Sequence, residues 1–270
     1  MNDPIATLEW LLEAQPGIPS LEEMPCRTLD DKGIAGPTAA HVIEEIHTPL
    51  NLALVTFTTG SSAFQNIVGV THNELALRTA AGKRALAACG VTAGQLVLVT
   101  YAPLVNVFTR QALDESGLRW SFLSRSCRDA LLIALCRQPP DAVVGESSFL
   151  RATLEQALKM GLEHRLAKKL TLIVAGTPLD EALVPLAASL GYALHDMYGC
   201  QEFGWLTLDG IPLREDISLV PAPQGGDWRE AIVGGLPTGD SFPVAASGHL
   251  CNPQGKIQTW KRQRTTPEYD

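Results

Sequence analysis

Thr58-Thr59-Gly60-Ser61-Ser62 places four hydroxyl side chains around one glycine, directly after the apolar run of residues 52–57. Small residues let a backbone come close to an anion, and successive N–H groups can turn inward as a nest. The hydroxyls add donors, so the tract suits phosphate binding. It is not a Walker A sequence, because no Gly-Lys-Ser/Thr follows. A plain polar turn between two strands would carry the same residue types. A second stretch, Ala175-Gly176-Thr177-Pro178, closes another apolar run. A Gly-Pro turn at a strand end exposes backbone that can stack on a base and hydrogen-bond to it; a simple strand-to-helix turn reads alike. The six cysteines, at 26, 89, 127, 136, 200 and 251, form no C-x-x-C pair and no zinc spacing with histidine. They read as reduced thiols. Cys200 is the one beside other polar motif residues, though no base adjoins it in sequence.

The elements around these residues follow from hydrophobic periodicity. Residues 52–57 (LALVTF) form a continuous apolar, β-branched run, as expected of a buried strand in a parallel sheet. That would put residues 58–62 at the carboxyl end of the sheet, where open α/β sheets bind ligands. Thr71 and Glu74 match a capping box, so a helix is expected from there through Cys89, ending at Gly90. Strands are expected at 95–100, 120–123, 142–145, 170–175 and 193–197, and helices at 106–115, 126–136, 148–160 and 179–190. Ser147 or Ser148 would cap the third of these helices. This alternation implies an α/β fold with a mainly parallel sheet flanked by helices. Beyond 205 the segments are short and rich in Gly turns, which predicts a small antiparallel C-terminal part. Residues 5–14 read as an amphipathic helix, 15–37 as a loop, and 41–47 as a helical turn or two. Three parts result: 1–50, an N-terminal helix and extension; 51–205, an α/β nucleotide-binding core; and 206–270, a β-rich part with a hinge-like tail.

The 270 residues are 46% hydrophobic and 19% charged, an ordinary balance for a chain with a sizeable core. The net charge of -8 argues against a nucleic-acid partner, though not against a nucleotide held by backbone amides. The N-terminus lacks a basic n-region, and no apolar run is long enough to span a membrane. A cytoplasmic protein is expected.

From Thr58 to Leu75 the chain reads TTGSSAFQNIVGVTHNEL. This resembles the phosphate loop and following helix start of the adenylate-forming superfamily of acyl-CoA synthetases, peptide-synthetase adenylation domains and luciferases. The phenylacetate-CoA ligase branch is the nearest in pattern. Ala63, Gln65 and Asn66 stand where that pattern has Gly, Pro and often Lys. Ala175-Gly176-Thr177-Pro178-Leu179 resembles the family's turn against adenine. Tyr198-Gly199-Cys200-Gln201-Glu202 resembles its Tyr-Gly-x-Ser/Thr-Glu motif, with Gln201 in the hydroxyl position. Pro237-Thr238-Gly239-Asp240 resembles its Thr-Gly-Asp motif. Gly248-His249-Leu250 and Gly255-Lys256-Ile257 resemble its hinge, with Lys256 in the Arg position. These motifs keep the family's order over about residues 50–260.

The resemblance implies ATP-dependent activation of a carboxylic acid to an acyl-adenylate. ATP or AMP would be held by Thr58, Thr59, Gly60, Ser61 and Ser62. Ala175, Gly176, Thr177, Pro178, Tyr198 and Gly199 would lie against adenine, and Asp240 on the ribose. Glu202 would hold Mg²⁺, with Gln201 and Lys256 beside the reacting groups. Tyr101, Asn106, Phe108 and Trp205 are positional candidates for the acyl pocket. The acceptor would be CoA, a carrier protein or another nucleophile. Relatives of full length carry a further domain with a catalytic lysine after the hinge. The basic tail WKRQR is too short for one, so a separate protein supplying the acceptor or that domain is a further expectation, as is a homodimer. The departures at Ala63, Gln65, Asn66 and Gln201 fit an alternative, a non-catalytic nucleotide or acyl-adenylate binder. An unrelated Rossmann-like binder would want a G-x-G-x-x-G after a strand, and none is present.

Overall fold

The computed structural model describes residues 3–14, 51–57, 67–100, 108–223, 225–226, 228–243 and 263–264. The expected loop 58–62, the turn at 41–47, Tyr101, Asn106, Lys256 and the hinge motifs at 248–250 and 255–257 lie outside these residues.

The chain opens with α1 (Pro4–Ala14), then β1 (Leu52–Phe57), β2 (Ile67–Thr71) and α2 (His72–Ala88). β1 and β2 pair antiparallel as a separate two-stranded sheet, with Phe57 opposite Ile67. This corrects the expectation that residues 52–57 form a strand of the parallel sheet. A short apolar run cannot by itself distinguish a buried parallel strand from half of a hairpin packed on a helix. β1 and β2 are therefore the two arms of an antiparallel pair, and neither belongs to the parallel sheet.

Next come β3 (Leu96–Val99), α3 (Arg110–Glu115), β4 (Arg119–Phe122), α4 (Arg128–Arg137), β5 (Ala142–Gly145) and α5 (Ser147–Lys159). After these follow β6 (Thr171–Val174), α6 (Leu183–Ser189), β7 (Ala193–Cys200), β8 (Gly204–Leu208) and β9 (Ile211–Pro212). These strands form one seven-stranded sheet in the order β4-β3-β5-β6-β7-β8-β9. Pairing is parallel from β4 to β7 and antiparallel from β7 to β9. The sheet runs on through Pro212, past residue 205, because β8 folds straight back on β7.

The central strands are buried on both faces. Val97, Val99, Val144 and Ile173 join the core beneath α2 and α3. Their neighbours Leu98, Val143, Leu172 and Val174 point to the other core, with α4, α5 and α6. Period-two alternation splits each apolar run between the two layers, which is why the runs are continuous. Ile5 of α1 is fully buried in the second core, against α4, so this helix packs with the α/β unit.

Helix starts are set by side chains. The Glu74 N–H donates to Thr71 Oγ1 at 3.2 Å, one half of the expected capping box. The Glu74 carboxylate, however, meets Arg78 and Arg214. Thr109 caps α3 through Ala112 N, which delays that helix relative to the expected start at 106. Glu146, not a serine, caps α5, taking Ser148 N and Phe149 N. Ser147 Oγ instead accepts from Asp180 N at 2.6 Å, which holds the turn before α6 and shortens that helix.

The chain then builds a four-stranded antiparallel sheet of β10 (Ile217–Pro221), β11 (Trp228–Val233), β12 (Leu236–Pro243) and β13 (Gln263–Arg264). Ala231, Val233 and Phe242 of this sheet pack against Tyr198 and Leu206 of the large one. No helix among the described residues is long and apolar enough to cross a membrane.

Candidate nucleotide and acyl site

The carboxyl ends of β5, β6 and β7 lie side by side and present residues 145–146, 175–178 and 198–202. Gly145 has no room for a side chain: a Cβ there would sit 2.6 Å from Thr100 Oγ1 and 3.1 Å from Leu150 Cδ2. Beyond it, the Glu146 carboxylate accepts from Ser148 Oγ at 2.8 Å, Phe149 N at 3.0 Å and Thr177 Oγ1 at 3.0 Å. Partial burial pushes this carboxyl up, but the donors from Ser148, Thr177 and Phe149 outweigh it and hold it below the ordinary range. Glu146 thus fixes Thr177 within the 175–178 turn. Ala175 is buried, while Gly176 (φ +88°) and Pro178 are exposed, so the turn shows its edge to solvent.

Tyr198 is buried on β7, and its hydroxyl donates to Asp240 Oδ2 at 2.5 Å. Its ring meets Phe242 edge-on, with centroids 4.8 Å apart. Two sheets thus bring the Tyr-Gly and Thr-Gly-Asp residues together. Asp240 N donates to Thr238 Oγ1, and Thr238 donates in turn to Ala231 O, which fixes the aspartate on β12. Gly199 lies flush on β8: a Cβ would stand 2.5 Å from Gly204 O and 2.6 Å from Trp205 Cε3. Behind it, Trp205 and Phe108 are fully buried and meet edge-on at 5.0 Å.

Cys200 hydrogen-bonds to Glu202 and lies near Asp240. Burial first, then these carboxylates, push its thiol up to about 12. A protonated thiol is a poor nucleophile. The gap from an ordinary value of 9.0 to about 12 leaves roughly a thousandfold less thiolate at neutral pH. Folded protein should therefore resist iodoacetamide at Cys200 at pH 8, and react there only once unfolded, as peptide mass spectrometry would report. The folded state also keeps this proton where the unfolded chain releases it. The thiol's contribution to stability is complete below about 9 and is lost as pH rises towards about 12.

Four residues of this region were not read from sequence as site residues: Glu74, Arg78, Glu146 and Arg214. Glu74 and Arg78 have the spacing of a surface i,i+4 pair. The available signal was the company of Arg78, since Thr79, Ala81, Gly82 and Ala85 make its helix face small and buried.

A protein of Malonomonas rubra described as an ACP-SH:acetate ligase is 56% identical over all 270 residues of this chain, which cover 74% of its length. The chain belongs to the adenylate-forming ligase family. Solved members share the fold. 2-Hydroxyisobutyryl-CoA ligase, in complex with 2-HIB-AMP and CoA, aligns with a TM-score of 0.57 at 15% identity over 78% of this chain. The amide bond synthetase McbA from Marinactinospora thermotolerans aligns at 0.58 and 18% identity, covering 86% of this chain and 55% of its own. ATP-bound MatB from Rhodopseudomonas palustris aligns at 0.57 and 18% identity, covering 76% and 48%. The chain spans about half the length of these solved ligases, 51% for the first. Residues 209–270 match the MadH C-terminal domain model. Within the adenylate-forming family, the mainly parallel sheet and small antiparallel sheet are the expected layout, and both are present here.

Proposed function

We propose that this chain activates a small acid of acetate size with ATP and passes the acyl group to the thiol of a carrier protein. The observation that carries the reading is the convergence of Tyr198, Glu202 and Asp240 beside the 175–178 turn, in a chain 56% identical to an acetate ligase of that kind. An oxygen of the acid attacks the α-phosphorus of ATP. The bond from that phosphorus to the bridging oxygen breaks, and pyrophosphate leaves with its electrons. The acceptor's sulfur, its proton given to solvent, then attacks the acyl carbon and expels AMP.

Backbone amides of Thr58–Ser62 would cradle the phosphates. The exposed 175–178 turn would receive adenine, and Asp240 would take the ribose hydroxyls in place of, or shared with, the Tyr198 hydroxyl. Among the described residues no cluster of three metal-ligating side chains exists. That fits Mg²⁺, which favours one or two carboxylates plus substrate phosphates over a protein cage. Glu202 would supply such a carboxylate, and the ion when bound would neutralise phosphate charge. Lys256 stands as a candidate cation by its motif position. Phe108 and Trp205 fill the space behind Gly199, which favours a short acid.

Acid-dependent exchange of labelled pyrophosphate into ATP tests the reading. Acetate should support it better than a four- or five-carbon acid, and Trp205→Ala should narrow that preference. Mass spectrometry of an added carrier protein, with CoA in a parallel arm, identifies the acceptor. ATP binding without exchange for any acid, with or without carrier, would replace this reading by the non-catalytic one.

A further inference from the structure

Two arginines lie almost wholly out of water beneath the turn that carries Glu202. Arg78 is 1% exposed and Arg214 is 6% exposed. Arg78 projects from α2 and donates through Nη1 to Gln201 O at 3.0 Å, and through Nη2 to Glu202 O. Arg214, on the chain leading to β10, donates through Nη1 to Phe203 O at 2.8 Å. Three consecutive carbonyls between β7 and β8 thus end on buried guanidinium groups. Gly204, the next residue, has φ +72°, and a Cβ there would sit 3.0 Å from Arg78 Cγ. The turn is seated on the arginine's stem as well as on its charge.

One carboxylate braces both arginines. Glu74 accepts Arg78 Nε at 3.1 Å, Arg214 Nη1 at 2.6 Å and Arg214 Nη2 at 2.9 Å. Asp216 takes the other edge of Arg214 at 2.9 and 2.7 Å. Glu74 lies in the first turn of α2, whose cap Thr71 ends β2, the strand that follows residues 58–66. Buried ion pairs of this kind seldom stabilise more than apolar packing of equal volume. What this cluster does supply is a fixed distance between two segments 123 or more residues apart.

We infer that Glu74, Arg78 and Arg214 are positioning residues that hold the turn carrying Glu202 at a fixed place on α2, so that its carboxylate is already in position when the metal–nucleotide complex binds. The inference rests on the proposed reading of Glu202. Its consequence is specific: the cluster matters to the Mg²⁺-dependent part of nucleotide binding.

Isothermal titration of ATP in Mg²⁺ and in EDTA, on wild type, Arg78→Lys and the isosteric Glu74→Gln, tests it. Both variants should keep the EDTA affinity and lose roughly 10–100-fold of the Mg²⁺-dependent gain, the usual effect of disturbing a metal ligand's support. An undiminished gain in a folded variant overturns the inference. So does a parallel loss in both conditions, which marks a merely structural role. If Arg78→Lys does not fold, Glu74→Gln carries the comparison. Amide exchange at residues 200–204 decides the geometry without ligand: acceleration confined to that turn is expected, and unchanged exchange overturns the proposal. Wild-type protein that binds no ATP would instead sink the proposed function.

Discussion

Glu202→Gln is expected to lower acid-dependent pyrophosphate exchange by roughly 10²–10³-fold, the scale seen when one electrostatic contact to a charged transition state is removed. The substitution keeps the shape of the side chain and removes its charge. Only a charged carboxylate is a strong ligand for Mg²⁺ on phosphate oxygens. Folding should survive, because Arg78 binds the backbone carbonyl of Glu202, which the variant retains. The side chain's own partner is the Cys200 thiol, whose hydrogen bond an amide oxygen can still accept. Loss should therefore fall on kcat and on the Mg²⁺ requirement, with the KM for the acid little changed. Exchange measured across a Mg²⁺ titration checks this. Near-normal turnover in a natively folded Glu202→Gln protein would remove Glu202 from the chemistry.

The second large effect is on stability. Arg214→Met is expected to cost about 3–5 kcal/mol, because removing one partner of a buried ion cluster strands the others. Burial alone would pull the Arg214 pKa down, but hydrogen bonds to Asp216 and Glu74 hold it above its usual value. Methionine fills much of the volume yet leaves Glu74 with Arg78 alone, Asp216 without its guanidinium, and Phe203 O without that donor. For a chain of this size that loss would lower the thermal midpoint by roughly 10 °C. Arg137→Met makes the matched comparison. Arg137 pairs with Glu9 at 2.7 Å, but its side chain is 41% exposed. Solvent screens such a pair, and the midpoint should hardly move. Differential scanning calorimetry of both variants decides the point. Equal shifts would mean that burial of the cluster is not what gives it weight.

Much of the fold could be read in advance. Strands β3, β5 and β6 carry continuous apolar runs because both their faces are covered, and each stops at a Gly or polar turn. The antiparallel character of the C-terminal part followed from its Gly-Gly and Asp-Gly turns. The misread strand, β1, has the same residue types as the parallel strands. Only its pairing with β2 distinguishes it, and pairing is not a local property. The capping box was half right for a related reason. Thr71 caps within its own turn, whereas Glu74 had a nearby amide as one option and two buried arginines as another. Charge-assisted bonds out of water are the stronger choice.

Local order and residue type are therefore what the sequence determines by itself: an α/β chain, its element order, and the identity of the motif residues Tyr198, Glu202 and Asp240. Tertiary structure alone decided which of these meet. Tyr198 reaches Asp240 across 42 residues, Thr177 reaches Glu146 across 31, and Arg78 reaches the Glu202 turn across 124. Propensity and capping act within a few residues of one another. Such distant contacts are instead set by sheet order, register and the exclusion of water from the spaces between layers.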